Sequence, residues 1–387
     1  MKKSFKIFLA LLLAIVVTIL SVHVVLNAPN IKSDPVNNNG EKWRIGYYEG
    51  GPYVDYFSHL ISFINGLVNS GWIEDINLTE FSASDSEKSV WDYLSENAKS
   101  NYLEFSKEGF WSYDWNENIR SDYVNDFLEK KDNLNIDLMI AMGTWAGQDL
   151  VNEKNQLPTI VMSSSDPLEA GIVKGEKYSG IPNIFAVTDP NRFKKAIELF
   201  FDIFKFEKLG VAYENNKDAD VYSNISILKT ASKDFGFELV ECYADDIGLT
   251  DEECKNEILK CYEKLAPNID ALWIGVHRGE SFLFMPEILQ PMFEYKIPTF
   301  YLEGSQGVER GVLISIGDMD YNFFSSWISE KFTKILHGEK PGNLNQIFEY
   351  EDQIIINLET ARRIGYEPPE SILDIAEITF EEIKGEK

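Results

Sequence analysis

Residues 138–148 read LMIAMGTWAGQ, and the fold class follows from how that stretch is parsed. Five apolar residues in a row, closed by a glycine, fit a strand buried on both faces, as in a parallel sheet covered by helices. Gly143 then turns the chain directly into a helical stretch that begins Thr144-Trp145-Ala146. A buried strand, a glycine turn and a helix start form the repeating unit of α/β sheets, and their ligands bind in the loops at the carboxyl ends of the strands.

The same rhythm extends in both directions. Strands are expected at 43–48, 76–81, 138–142, 159–162, 184–187, 209–213, 238–243, 271–275, 299–302, 312–316 and 347–357, the last as a hairpin or a bent pair. Between them, 55–70 repeats Leu60, Phe63, Ile64 and Leu67 at helical spacing. Asp189-Pro190 reads as an N-cap and first turn of a helix running to Phe204, and His337-Gly338 closes a helix begun at Tyr321. That many strands fit two sheets better than one twisted sheet.

The 387 residues carry a net charge of −27, which leaves no basic surface for a nucleic-acid partner. The four histidines are scattered, so no metal-ligand spacing and no cofactor is expected. Of the three cysteines, Cys254 and Cys261 on one helix lie too far apart to pair; Cys242 could pair with one of them, but buried free thiols are the expectation. Lys2, Lys3 and Lys6 precede an apolar run over 7–26, which reads as a signal peptide or signal anchor within 1–28 and implies export from the cell. The polar stretch 29–42 reads as a tether.

Candidate binding residues are sought at strand ends. In the first half these are Tyr48 and Glu49 before Gly50-Gly51-Pro52-Tyr53; Gly143, Thr144 and Trp145 at the helix start, whose free N–H groups would accept an anion; and Ser164, Ser165 and Asp166. Thr144 and Asp166 equally fit plain capping roles. In the second half they are Tyr213 and Asn215, His277 and Arg278, and Tyr301 and Glu303. Neither a G-x-S-x-G elbow nor an H-E-x-x-H pair occurs, so an enzyme is not expected. His277 beside Glu280 is better read as a hydrogen-bonding residue than as half of an acid/base pair.

Three segments, taken in order, carry a family resemblance: IAMGTWAGQDL with LPTIVMSSSDPLEAGIV, then RGVLISIGDMDYNFFSSWISEKFTKILHGEKPGNL, then IIINLETARRIGYEPPESIL. The chain resembles the ABC-transporter substrate-binding proteins of the tryptophan/aromatic-amino-acid-binding type. The resemblance implies a type I periplasmic-binding-protein fold: two Rossmann-like α/β lobes with parallel sheets, joined by three crossings. Lobe 1 is then 43–187 with 312–337, and lobe 2 is 188–311 with 338–387. It further implies hinge closure over a small, amino-acid-like ligand, lined in lobe 1 by Gly143-Thr144-Trp145 and Ser164-Ser165-Asp166. The implied partner is an ABC permease; a membrane sensor signalled to by a tethered binding domain is the alternative. Trp145 stands where the family often has a small residue, the lipid-anchoring cysteine is missing, and the aromatic-rich 82–135 reads as a lid, a partner surface or a peripheral helix pair.

Overall fold

In the computed structural model the chain is described over residues 34–82, 85–216, 219, 221, 223–302, 304–317, 319–349 and 354–385. The expected signal or anchor segment 1–28 and the first residues of the tether lie outside them. Among the described residues no helix is long and apolar enough to cross a membrane.

One sheet comprises β1 (Trp43–Glu49), β2 (Leu103–Ser112), β3 (Leu138–Met142), β4 (Thr159–Met162) and β5 (Ile184–Ala186), all parallel, in the order β2-β1-β3-β4-β5. Its connections carry α1 (Val54–Asn69), α2 (Glu87–Asn97), α3 (Glu117–Lys130) and α4 (Gly143–Leu150). Successive residues of β3 feed different cores. Leu138, Ile140 and Met142 pack with Leu60, Phe63 and Ile64 of α1; Met139 and Ala141 pack with Ala146 and Leu150 of α4. Burial on both faces is why the strand reads as an unbroken apolar run.

The other sheet comprises β6 (Lys208–Tyr213), β7 (Glu238–Tyr243), β8 (Ala271–Ile274), β9 (Thr299–Tyr301), β10 (Ile314–Ile316), β11 (Ile354–Asn357) and β12 (Ala376–Phe380), ordered β12-β11-β10-β9-β8-β6-β7. Only the β10–β11 pair in this list is antiparallel. Helices α5 (Arg192–Phe204), α6 (Ile225–Phe235) and α7 (Asp251–Leu265) belong to this lobe. A capping box between Thr250 and Glu253 starts α7. The expected helix after Asp189-Pro190 begins at Arg192 with Asn191 as its N-cap residue, because the chain is still leaving the crossing at Asp189.

The expected lobe boundaries shift at two places. The stretch 312–316, expected in lobe 1, carries β10, which pairs with β9 and β11 in the second sheet. The chain therefore crosses to lobe 1 only after Ile316. There α8 (Tyr321–Leu336) lays Phe324, Ile328 and Phe332, all fully buried, against the α1 side of the first core. Burial of each such side chain contributes about 2 kcal/mol. Leu344 and Phe348 remain in that core, so the return crossing lies beyond Phe348 and not at 338, where lobe 2 is expected to resume. Ile347 makes a parallel bridge to Thr188. Gln346, fully buried, donates to the Gly175 and Glu176 carbonyls at 2.6 and 3.0 Å, and its own backbone carbonyl accepts from the Thr188 amide at 3.0 Å, which ties the two crossing segments together.

The strand expected at 76–81 does not form. Asn77 accepts hydrogen bonds from the Thr79 amide and hydroxyl at 3.1 and 2.8 Å, a local turn that competes with a ladder. Its place at the sheet edge is taken by β2, whose register with β1 jumps between Phe105 and Phe110. The intervening Ser106-Lys107-Glu108-Gly109 reads as loop, and charge suits an edge strand. The aromatic-rich 82–135 is therefore a helix, an edge strand and a second helix, not a helix pair.

The cysteines also differ from expectation. Cys242 on β7 and Cys261 on α7 form a disulfide, because strand and helix face each other across one small core, while Cys254 is buried and free. A structural disulfide fits an oxidising compartment outside the cytoplasm. With its ends separated by 19 positions in sequence, it should contribute about 3 kcal/mol. A reducing agent should lower the melting temperature of the wild type, and a Cys242→Ser, Cys261→Ser double variant should start at that lower value and not respond to reductant; equal melting curves for all samples would show the bond to be energetically idle.

Candidate functional site

The strand ends of both lobes open on one cavity of about 450 Å³. Each strand from β1 to β10 delivers at least one lining residue just past its carboxyl end. Tyr53 follows β1, Trp115 β2, Thr144 β3, Ser163 β4 and Val187 β5. From the second sheet, Glu214 follows β6, Asp246 β7, His277 β8, Leu302 β9 and Met319 β10. This is where open α/β sheets place their ligands.

The lobe 1 wall is organised around Asp55, in the first turn of α1. Its carboxylate accepts from the Ser163 hydroxyl at 2.6 Å and the Tyr321 hydroxyl at 2.9 Å, and lies 3.2 Å from His59 Nδ1 one helical turn on. Burial pushes the Asp55 carboxyl up, but adjacent His59 and the three hydrogen bonds outweigh it and hold the group well below the ordinary carboxylate range. Burial lowers His59, yet Asp55 more than offsets this, so the imidazolium is favoured. Ser163 takes a left-handed backbone, φ +54°, to aim at Asp55, and such strain in a non-glycine residue is a mark of functional sites. Beside it the Thr144 and Ser164 hydroxyls lie 3.2 Å apart at the start of α4. Gly143 makes this possible: at φ +88° a Cβ would sit 1.7 Å from the Tyr56 hydroxyl oxygen.

The lobe 2 wall is a separate polar network. Arg278 Nε donates to Asp246, and its Nη2 donates to the Asp246 and Leu249 carbonyls, both at 2.7 Å. Glu214 accepts from the Ile247 amide at 3.0 Å. Burial holds His277 below its ordinary value, and its Nδ1 accepts from the Gly279 amide at 3.0 Å, which assigns it as neutral. Glu280 is occupied elsewhere, by the Tyr262 hydroxyl at 2.7 Å and the Gly275 amide at 3.1 Å. Arg192 and Asp189 complete the wall from the crossing after β5, Arg192 donating to the Leu302 carbonyl at 2.8 Å.

Of the residues expected from sequence, Thr144, Trp145, Ser164, Ser165, His277, Arg278 and Tyr301 line the cavity. Gly143 stands directly behind, against Tyr56. Four others do not line it. Tyr48 is fully buried and donates to Asp149 at 3.2 Å, and Tyr213 donates to Glu241 at 2.7 Å. Asp166 caps its own turn, accepting from the Leu168 and Glu169 amides, and Asn215 is exposed. Glu303 lies outside the described residues.

Glu49 is also behind the wall, 2% exposed, taking the Tyr47 hydroxyl at 2.9 Å. Burial pushes its carboxyl up to about 8, and the neighbouring Glu87, also buried and itself raised to about 7, adds to the rise.

Sequence reasoning missed Asp55, His59, Tyr53, Tyr56, Trp115, Arg192 and Tyr321. Asp55 and Arg192 sit within one turn of a helix that follows a strand end, a readable signal; Trp115 was hidden with the unrecognised β2.

A family model described as ABC transporter substrate binding protein matches residues 76–379. The chain belongs to the ABC transporter substrate-binding protein family. That family comprises extracytoplasmic binding proteins, not enzymes. The chain is 28% identical over 250 residues to the tyrosine-binding protein of Clostridioides difficile (strain R20291), a match spanning 64% of this chain and 66% of that relative's length, just short of two thirds. Two solved structures share the fold at 20% identity, each aligned over 88% of this chain and all of the other. They are a conserved domain protein from Vibrio cholerae, TM-score 0.66, and an ABC domain in complex with L-Trp from Streptococcus pneumoniae, TM-score 0.65. Among the described residues no cluster of His, Cys, Asp and Glu could hold a metal ion.

The buried Glu49–Glu87 pair gives a pH prediction with a definite sign. A carboxyl raised in the fold contributes stability that is complete below its unfolded value near 4.5 and lost as pH rises through the folded value near 8. Glu49→Gln should therefore gain on the wild type in urea melts at pH 8.5 relative to pH 5; an unchanged difference between the two pH values would contradict the buried-acid assignment.

Proposed function

We propose that this protein captures a free amino acid with an aromatic side chain outside the cell and delivers it to an ABC permease. The observation that carries the reading is the combination, in one cavity of about 450 Å³, of an Asp55 carboxylate, the adjacent start of α4 with two hydroxyls, and a lining rich in Tyr and Trp rings. That volume suits a small ligand. The α4 amides with Thr144 and Ser164 take the ligand carboxylate, and Asp55, whose side chain keeps 32% exposure, takes the ammonium group. The side chain then lies among Tyr53, Trp115 and Trp145. The named ligands of two relatives, tyrosine and L-Trp, support the same class.

Binding works by closure. The ligand's head groups sit on lobe 1, and Arg192, Ile247 and Tyr301 of lobe 2 cover it, so the ligand contacts both halves only when they are shut and shifts the population that way. The apolar run 7–26 holds the protein at the outer face of the cytoplasmic membrane, within reach of the permease.

The soluble body, residues 42–387, should bind L-tyrosine, L-tryptophan or L-phenylalanine in calorimetric titration and melt at higher temperature with them present. Asp55→Asn should weaken that binding by roughly tenfold or more, as loss of a charge-assisted hydrogen bond to the ammonium implies. No response to any free amino acid would end this reading, and undiminished affinity in the variant would move the ammonium site elsewhere.

A further inference from the structure

We propose that Arg120, which does not line the cavity, sets the pocket's preference for flat aromatic side chains by fixing the ring of Trp145. The inference rests on the amino-acid reading above and deepens it by assigning the seat of the side chain.

The seat begins with a strained turn. Asp114 and Trp115, consecutive and neither of them glycine, take left-handed backbones at φ +55° and +58°. Two hydrogen bonds hold Trp115 there, from its amide to Gly50 O at 2.9 Å and from its indole N–H to Pro52 O at 3.0 Å. Its ring lies so close over Gly51 that a Cβ there would come within 2.7 Å of the indole. This explains the second glycine after β1: it admits a ring of the protein itself.

Trp115 meets Trp145 edge to face, centroids 5.6 Å apart and planes at 67°, and both line the cavity. Two rings so disposed make a corner that a planar side chain fills and an aliphatic one does not.

Nothing in Trp145's own hydrogen bonding fixes that corner. Its indole Nε1 is buried with no hydrogen-bond partner among the described residues. The ring is held instead by stacking with Tyr113, centroids 6.0 Å apart and planes at 14°, and by the Arg120 guanidinium 4.6 Å from its centroid. Arg120 can do this because its fork is locked. Nε donates to Asp149 Oδ1 at 2.8 Å and Nη2 to Gln148 Oε1 at 3.0 Å. Asp149 is set in turn by the Tyr113 and Tyr48 hydroxyls, at 2.8 and 3.2 Å. Tyr48, behind the wall, thus acts on the pocket at third hand. Asp149, Gln148 and Trp145 share α4, so the same short helix offers its amides to the ligand head and its indole to the ligand tail.

Arg120 is therefore a positioning residue, and selectivity is its readout. Titrate wild type, Arg120→Met and Arg120→Lys with L-tryptophan, L-tyrosine, L-phenylalanine and L-leucine, and take the ratio of the leucine Kd to that of the tightest aromatic. Arg120→Met should lower this ratio by about tenfold, mainly through weaker aromatic binding. Arg120→Lys, which keeps a cation for Asp149 but loses the planar fork, should fall between. A merely structural role would lower the melting temperature and weaken all four ligands alike; an unchanged ratio in the variants overturns the proposal. If Arg120→Met does not fold, Arg120→Lys decides alone, because its ratio either drops or does not. A wild type that binds none of the aromatic amino acids removes the ligand reading and this inference together, whereas a wild type that binds them with variant ratios intact removes only this one.

Discussion

A parallel strand can be followed by another only after the chain has returned across the sheet, and that return starts at the strand's carboxyl end. Everything at this protein's cleft depends on that constraint. Because all strands of the first sheet and most of the second are parallel, their carboxyl-terminal loops gather on one edge of each sheet, and the two edges share a cavity. The polar residues of those loops need not be near one another in sequence. Asp55, Ser163 and Tyr321 meet within hydrogen-bonding distance although the chain passes through both lobes between the first and the last.

Each half settles its own charge. On lobe 1, Asp55 is matched by His59 and two hydroxyls; on lobe 2, Asp246 is matched by Arg278 and lies 3.8 Å from a neutral His277. In these two networks each buried carboxylate is matched by a cation of its own wall. What the walls leave for a ligand is directional: free helix amides, a partly exposed carboxylate and ring surfaces. Arg278 illustrates the distinction. It is the strong cation that the sequence offers at a strand end, yet its fork is spent on Asp246 and nearby carbonyls, so it shapes the loop that carries Ile247.

The α/β rhythm was readable because two-sided burial writes itself as uninterrupted apolar runs, as in β3, β4 and β8. It failed at the edges. β2 carries charge in mid-strand and skips register there, and β12 alternates half-buried and exposed residues too briefly to stand out. The lobe assignment of 312–316 failed for another reason: nothing in Val312–Ile316 states which sheet it joins, since either would bury it. Site residues showed the same division. Thr144, Ser164 and His277 follow legible strands, whereas Trp115 follows β2. Tyr48 and Glu49 were misplaced because a strand's last residues point into the core, and only the chain beyond the turn reaches the cavity. The Cys242–Cys261 bond needed the packing of α7 on β7, which spacing does not encode.

The crossing segments explain how such walls can move together. Residues 186–188 run beside 346–348, joined by the Thr188 and Phe348 amides at 3.0 and 2.9 Å, so rotation is concentrated in a narrow paired ribbon. Two contacts across the mouth illustrate the scale. Ser226 donates to Glu169 at 2.8 Å in an exposed position, and Ile247 packs against the α4 side of the first core. An exposed hydrogen bond contributes about 1 kcal/mol, and a half-buried isoleucine a similar amount. A ligand that touches both walls adds its own contacts to these only when the lobes are shut, and so favours the closed state. A ligand changes the dominant state only by as much as its affinity differs between the two. Rim and cavity therefore have to be matched: a rim latch that is too strong would close the cleft without cargo, and a cavity that is too weak would leave nothing to tip the equilibrium.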